Sequence, residues 1–192
     1  MEQEYTTDKK FENVNFKTNP LPKGEYEECR FSGCDFSESD ISDIVFTDCE
    51  FTGCNLSLVK MTKTTFRDIL FGNCKMLGLH FEDCNAFGLS FEFDNCSLDH
   101  SVFYKTSIRK TVFKNCRFKE TDFTDCDLTE AVFDKCDLTG AVFDNTTLEK
   151  ADFRSSFLFS IDPEKNNIRK ARFSATNLAG LLTKYDIEIE NN

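Results

Sequence analysis

Residues 113–153 read FKNCRFKETDFTDCDLTEAVFDKCDLTGAVFDNTTLEKADF, and a large apolar residue recurs there at every fifth position. These recurring residues are the centres of the repeat: Phe113, Phe118, Phe123, Leu128, Phe133, Leu138, Phe143, Leu148 and Phe153. From Phe118 onward, the residue two positions before each centre is small, being Cys, Thr or Ala. The intervening residues are mostly polar.

A spacing of five fits neither of the ordinary secondary structures. A helix face needs apolar residues three and four apart, and a strand face needs alternation. Five is suitable if each unit forms one short side of a coil, after which the chain turns a corner. A sustained internal repeat of this kind predicts a solenoid.

The unit small–polar–Leu/Phe–polar–polar resembles the pentapeptide-repeat family, over nearly the whole chain. In that family four units form one square coil, so the resemblance implies an all-β fold, a right-handed quadrilateral β-helix. The predicted inward centres include Phe31, Phe36, Phe51, Phe71, Phe118, Phe123, Leu128, Phe133, Leu138 and Phe143. We expect each centre to stack on the residue twenty positions away.

The repeat predicts three segments. Residues 1–24 match the repeat poorly and are expected to be a tail and an irregular capping coil. Residues 25–178 form the β-helix, with a loop at 160–167 whose composition contains Pro163. Residues 179–192 follow; the stretch from Leu178 to Asp186 suits a short capping helix, and 187–190 alternates like a strand.

The spacing of five is unbroken from Tyr26 to Phe91, which predicts no projecting loop in that part. Ala86 is the one small centre. The register then shifts by two residues at 91–98, where Leu98 follows Phe91 by seven, and a bulge is expected in 90–96. Phe91 and Phe93 compete for one inward position. The other is either exposed or fills the space that Ala86 leaves.

Composition limits the classes of function. The chain has 192 residues, a net charge of −11 and a pI of about 4.7, which disfavours binding to nucleic acid or to an anionic membrane. No apolar run is long enough for a transmembrane helix, and the first residues lack the pattern of a signal peptide. We therefore expect a cytoplasmic protein.

All ten cysteines stand two residues before a centre, in the small inward position. This placement predicts free, buried thiols rather than disulfides. Two ladders are expected: Cys34, Cys54 and Cys74 in one, and Cys96, Cys116 and Cys136 in the other. Metal binding is the alternative, but no C-x₂₋₄-C spacing occurs.

No catalytic motif is present. Only His80 and His100 could act as imidazole bases, and both fall at outward positions without a nucleophile pattern nearby. We expect a protein that is not an enzyme and that has no cofactor and no metal site.

The charges fall in bands along the chain. Residues 24–50 and 120–152 are acidic, whereas 101–118 carry Lys105, Arg109, Lys110, Lys114 and Arg117. The sequence predicts an acidic surface for a protein partner, with Glu28, Asp48 and Asp68 aligned from coil to coil. Its candidate residues are Glu28, Asp35, Glu38, Asp40, Asp43, Asp48, Asp68, Asp122, Asp125, Asp127, Asp134 and Asp137.

Two segments, 93–98 and 161–166, resemble the pentapeptide-repeat subgroup that acts on bacterial type II topoisomerases, which contains the quinolone-resistance (Qnr) proteins and the microcin B immunity protein. The resemblance implies a DNA-mimicking rod that binds DNA gyrase or topoisomerase IV and alters the response to inhibitors. The alternative is a structural or regulatory solenoid with another protein partner and no topoisomerase role.

The C-terminal end predicts a homodimer. Six residues there are apolar or aromatic: Leu178, Leu181, Leu182, Tyr185, Ile187 and Ile189. A short helix that covers the last coil cannot bury both of its faces, so the free side is expected to pack against a two-fold copy. The alternative is a monomer whose helix only closes the coil.

Overall fold

A computed structural model describes residues 4–190 and confirms the predicted quadrilateral β-helix. Its strands are β1 (Glu4–Thr7), β2 (Lys10–Glu12), β3 (Gly24–Glu27), β4 (Arg30–Ser32), β5 (Val45–Thr47), β6 (Glu50–Thr52), β7 (Thr65–Arg67), β8 (Ile69–Gly72), β9 (Phe91–Asp94), β10 (Val112–Lys114) and β11 (Val132–Asp134). Short 3₁₀ helices cover Phe81–Asp83, Ala175–Leu181 and Thr183–Tyr185.

Parallel pairing between consecutive coils produces four faces, which we name A to D in chain order. Face A contains β1, β3, β5 and β7, and continues as the bridges from Ser107 to Asn167. Face B contains β2, β4, β6 and β8 to β11. Face C is the ladder from Asn15 to Phe157, and face D is the ladder through residues 40, 60, 80, 102, 122 and 142.

The interior of face B is one continuous column of stacked phenylalanine rings. The column consists of Phe11, Phe31, Phe51, Phe71, Phe93, Phe113, Phe133, Phe153 and Phe173, with centroids 4.6 to 5.4 Å apart. At about 4.8 Å per step, this column makes a rod about 40 Å long. The ten centres named from the sequence are all buried, none more than 6% exposed.

Many of the side chains at the small inward positions are hydrogen-bond donors as well as being small. Cys54 Sγ lies 3.2 Å from the carbonyl oxygen of Phe31, and Thr146 Oγ1 lies 2.8 Å from that of Phe123. In both pairs, the acceptor is a centre in the preceding coil. The thiol or hydroxyl therefore satisfies a buried carbonyl that would otherwise lose its hydrogen bond with water.

The cysteines form one ladder instead of the two expected. Bridges join Asn55 to Lys75, Lys75 to Ser97 and Ser97 to Arg117, and a cysteine precedes each of these four residues. The ladder is Cys34, Cys54, Cys74, Cys96, Cys116 and Cys136. All ten thiols of the chain are free and buried.

The two additional residues lie upstream of the predicted bulge. The backbone nitrogen of Asn85 still bonds to the Thr64 carbonyl in the regular register, whereas Ile69 bonds to Ser90, two residues beyond it. The insertion is thus the turn 86–89, a projecting loop that the unbroken spacing did not predict. Ala86 is exposed and is not a centre, because the chain leaves the coil there.

Phe91 and Phe93 are both buried, at 3% and 1% exposure. Phe93 is the centre on face B, stacked on Phe71. Phe91 fills the space that Ala86 leaves, since its ring lies 5.9 Å from that of Phe66 and 5.5 Å from that of Phe81. One of the two outcomes expected for the competing aromatics is therefore observed.

The ends also differ from expectation. The regular ladder begins at Glu4 and not after residue 24, because β1 and β2 pair with β3 and β4. Residues 186–190 form no strand in the described structure. Leu158, where the spacing of five after Phe153 predicts the next centre, is 65% exposed with φ of 59°, and Phe159 is buried in its place.

Most corners of the coil place one residue in the left-handed region. This residue follows the centre by two, as at Glu28, Asp48 and Asp68, with φ between 51° and 54°. Asp, Asn and Gly tolerate this conformation better than other residues. Leu58 also occupies such a corner, with φ of 58° and 61% exposure.

Leu58→Asn is therefore expected to raise the free energy of unfolding by about 0.5–1 kcal/mol, because the left-handed conformation disfavours leucine. Leu70→Asn is the matched control, since Leu70 is 41% exposed but lies in β8. Asparagine is disfavoured in strands, so the control should lose stability. Urea unfolding measures both. A loss of stability in Leu58→Asn would contradict the role assigned to the corner.

Candidate functional site: an acidic column on face A

Four carboxylates form a column along the corner that ends face A. Asp8, Glu28, Asp48 and Asp68 are exposed corner residues in four successive coils. The backbone nitrogens of the first three donate to the carbonyls of Glu27, Thr47 and Arg67 respectively, which aligns the four residues. We call these four residues the acidic column. The predicted alignment of Glu28, Asp48 and Asp68 is present, and Asp8 extends it.

The surroundings of the acidic column strengthen its negative field. Glu25 and Glu27 lie on β3 beside it, and Arg67 on β7 is the basic residue of these strands on this face. Within residues 4–190, no ion pair shorter than 4.0 Å involves a member of the column. Like charges at the coil spacing of about 4.8 Å repel each other, so the column opposes folding.

Five of the predicted surface acids have a local structural role. Asp35, Asp40, Asp122, Asp127 and Asp137 each accept a hydrogen bond from the backbone nitrogen two residues later, at 2.8–3.0 Å. Each therefore forms an Asx turn at a corner. The pattern Asp–centre–Ser/Thr in the sequence is the signal that marks these turns.

The lowered pKa values of Asp40 and Asp127 show that neighbouring groups stabilise the charged forms of these two carboxyls. The Ser42 hydroxyl bonds to Asp40 and, with Lys23 and Lys60 nearby, lowers the pKa of Asp40 to about 2. Partial burial opposes ionisation of Asp127, but Thr129 and Arg109 outweigh it and lower its pKa. These carboxylates therefore already interact with neighbouring groups when no partner is bound.

The remaining predicted acids are dispersed over the other faces. Glu38, at the face C corner, pairs with Lys17 at 3.0 Å. Asp43 and Asp125 lie at face D corners, and Asp134 lies on β11 of face B, where it accepts a bond from Ser155. The twelve predicted acids therefore do not form one surface.

Carboxylates neutralise much of the basic band. Arg117 forms a two-pronged pair with Asp99, with Nη2 2.6 Å from Oδ2 and Nε 2.9 Å from Oδ1, and Asp99 is buried. Arg109 pairs with Asp127 at 2.9 Å, and Lys114 with Asp94 at 3.8 Å. Pairing between neighbouring coils thus weakens the positive field of the predicted band. These pairs cannot be seen in the sequence, where the band is a run of like charge.

The titratable groups form no catalytic arrangement in residues 4–190. His80 and His100 each face a glutamate, with Nδ1 2.8 Å from Glu82 Oε1 and 3.4 Å from Glu120 Oε2 respectively. Burial raises the pKa of the Cys49 thiol to about 12, which keeps it protonated. No group of three His, Cys, Asp or Glu in the described residues could hold a metal ion. No described helix is long and apolar enough to cross a membrane.

The C-terminal segment covers the last coil. The Ile161 nitrogen bonds to the Gly180 carbonyl at 2.9 Å, and a Cβ at Gly180 would stand 2.5 Å from the Phe159 ring. Lys184 pairs with Asp162 and Glu164. Of the six residues proposed for dimerisation, Leu178, Tyr185, Ile187 and Ile189 are 45–54% exposed, whereas Leu181 and Leu182 are half-buried.

Asp48→Asn should raise the free energy of unfolding by about 0.5 kcal/mol at low salt, because it removes a charge between two like charges. In 1 M NaCl, where the Debye length is about 3 Å, the gain should vanish. Asp43→Asn is the matched control, since Asp43 is a corner residue between Lys23 and Lys63 in its own column. Equal effects of the two substitutions at low salt would contradict the repulsion.

Comparison with known proteins supplies a family for this architecture. The profile described as a pentapeptide repeat region matches residues 25–103, 90–159 and 106–182. No protein of curated function matches the chain in sequence.

Among solved structures, the chain is similar to full-length QnrB1, a plasmid-mediated fluoroquinolone resistance protein, with 19% identity and a TM-score of 0.48 over 96% of this chain and 100% of that one. It is also similar to HetL of Nostoc sp. strain PCC 7120, a protein involved in heterocyst differentiation regulation, with 13% identity and a TM-score of 0.40 over 88% and 84% of the two chains.

The similarities to solved structures do not bear on the choice of partner. The profile match extends from the second coil to the C-terminal cap and covers more than half of the chain. The repeat, the square coils and this match together show that the chain belongs to the pentapeptide-repeat family.

Proposed function

We propose that this protein is a non-catalytic, cytoplasmic DNA mimic that binds DNA gyrase or topoisomerase IV and alters the enzyme's response to inhibitors. The acidic column is the observation that carries the proposal. Carboxylates in a straight line, without basic partners in the described chain, suit a surface that normally binds a phosphate backbone. The resemblance of residues 93–98 and 161–166 to the topoisomerase-directed subgroup supports this choice of enzyme.

The spacing of carboxylates resembles that of DNA phosphates along only part of the rod. One charge per step of about 4.8 Å in the acidic column compares with one per about 3.4 Å along a DNA strand. Glu25 and Glu27 increase the local density around the second coil. The acids of the later coils are largely paired or used in turns, so the mimicry is proposed for face A of the first four coils and not for the whole rod.

A structural or regulatory solenoid with another partner remains the second candidate. Its supporting observation is that the column repeats only to Asp68, where the loop 86–89 interrupts face A. A partner of this kind would need a short basic patch, whereas a topoisomerase presents a DNA-length groove.

The test is titration of the purified protein into gyrase supercoiling and drug-induced cleavage assays. We expect an effect at micromolar protein. A variant in which Asp8, Glu28, Asp48 and Asp68 are changed to Asn or Gln should need at least tenfold more protein, because four charge contacts are lost.

The control variant changes Asp43, Glu120, Asp125 and Glu130 in the same way. These residues also occupy left-handed corners, so the control has the same net charge and the same kind of backbone position. If the control loses as much activity as the column variant, net charge and not the column is responsible. No effect of the wild type on gyrase or topoisomerase IV would refute the topoisomerase role and favour the second candidate.

We further propose that two copies join at their C-terminal ends. The cap buries part of Leu181 against the core, but Leu178 remains 45% exposed, with Tyr185 and Ile187 also open to solvent. Apolar side chains gathered at a rod end favour association with a second copy. Two rods joined in this way would direct their acidic columns outward from a two-fold axis, as a symmetric enzyme requires.

Leu178→Glu should convert a dimer to a monomer in sedimentation at tens of micromolar protein, because a buried unpaired carboxylate is costly at an interface. Leu70→Glu is the matched control, since Leu70 is similarly exposed but lies on face B away from the cap. A wild type that sediments as a monomer would refute the dimer.

A further inference from the structure

The ladder between two consecutive coils is open beside the loop 86–89. His80 pairs with Val102, and the next pairing between these coils is Glu92 with Val112. No backbone hydrogen bond joins residues 82–90 to 104–110, although all of these residues are described. The cause is local, since the chain forms a 3₁₀ turn at Phe81–Asp83 and then departs outward at Ala86. A slot therefore opens where faces D and A meet.

The slot has a cavity of about 270 Å³. Its apolar floor and walls include Phe81 and Leu89, and Tyr104 lies at the side. The volume is just below the 300–1,000 Å³ typical of small-molecule sites, so the slot suits a single long side chain better than a metabolite of ordinary size. Phe87 is 78% exposed on the adjoining loop.

Glu82 lines the slot and has an acceptor without a partner. One carboxylate oxygen, Oε1, lies 2.8 Å from His80 Nδ1. The other, Oε2, is buried and has no hydrogen-bond partner in residues 4–190. A buried acceptor without a donor costs free energy, and rotation of the Glu82 side chain toward an N–H group of a ligand in the slot would remove that cost. The group that satisfies a carboxylate most fully is a guanidinium, which is planar and carries several donors.

The rim is compatible with such a ligand. Tyr104 is 38% exposed and offers a ring against which a guanidinium can stack. Lys105 lies at the rim, where its ammonium is 4.8 Å from the centre of the Tyr104 ring. Its repulsion of a second cation is weak, because the ammonium is in water. The methylene groups of an arginine would contact Leu89, which is partly exposed.

The slot is continuous with the acidic column. Ser90, at the end of the loop, donates a hydrogen bond to Asp68, the last member of the column, at 3.0 Å. Gly88 lies against Arg67, and a Cβ there would be 3.4 Å from Arg67 Nε. A protein that lays a basic surface along the column thus reaches the slot at its end. We propose that the slot at the register break is a binding site for one arginine side chain of a protein partner.

The test uses a small probe, N-acetyl-arginine amide, titrated into the isotope-labelled full-length protein and followed by NMR. At the binding free energy per non-hydrogen atom that is typical of drug-sized ligands, a probe of about 15 such atoms should bind with a millimolar Kd. Shifts should be confined to residues 81–90 and 104–107. Glu82→Gln should weaken binding at least tenfold. Glu92→Gln, an exposed glutamate on β9, is the matched control and should bind normally.

A second variant separates loss of the carboxylate from loss of the cavity. Ser107 is exposed and lines the slot, so Ser107→Phe should fill it without disturbing the core, and binding should be lost. N-acetyl-norleucine amide, which has no charge, should not bind, and N-acetyl-lysine amide should bind several-fold more weakly.

Three results would overturn the proposal: no localised shifts at 50 mM probe, equal binding by Glu82→Gln, or equal affinity for the norleucine or lysine compound. The probe contains no topoisomerase, so failure here would leave the proposed function standing. Failure of the gyrase assay would likewise leave the slot standing.

Discussion

The coil-to-coil stacking of phenylalanine rings on face B is the interaction on which the rest of the structure depends. Each ring lies about 5 Å from the next, close to the spacing of strands in a sheet, so stacking and backbone pairing require the same register. A ring one residue out of register would point outward. This double requirement explains why the repeat of five tolerates varied polar residues but few changes at the centres. It also explains why Phe93, and not Phe91, is the face B centre after the insertion.

The sequence predicted the solenoid, its inward centres and the buried position of its cysteines, because volume and spacing determine them. It did not locate the insertion. Ala86 and Phe91 keep the spacing of five across the real break, and only the pairing of Ile69 with Ser90 reveals that the chain leaves the coil between them. The spacing of five also predicts an inward side chain at Leu158, and this prediction is wrong. Its position in the repeat is right, but a left-handed backbone turns its side chain outward and the next residue, Phe159, enters the core.

The candidate site was predictable as a list of acids but not as a surface. Net charge along the chain does not distinguish a carboxylate that closes an Asx turn, such as Asp137, from one that stands free at a corner, such as Asp48. The distinction depends on position within the unit of five. Residues immediately before a centre are used by the backbone, and residues two after it are presented to solvent. Cross-coil pairs such as Arg117 with Asp99 join residues eighteen apart and are hidden in any local window.

The left-handed corners have a consequence for how the molecule can vary. The backbone at these left-handed corners has nearly the same shape whichever residue occupies it, whether Asp48, Lys63 or Asn73. A single-nucleotide change converts an Asp codon to an Asn or Gly codon, or an Asn codon to a Lys codon. At a corner, such a substitution alters the electric field of the rod without disturbing its core. The backbone shape of this protein is therefore insensitive to substitutions at its corners, whereas its pattern of surface charge can change. A lineage could exchange one binding partner for another by substitutions at four or five corner residues along one edge of the rod.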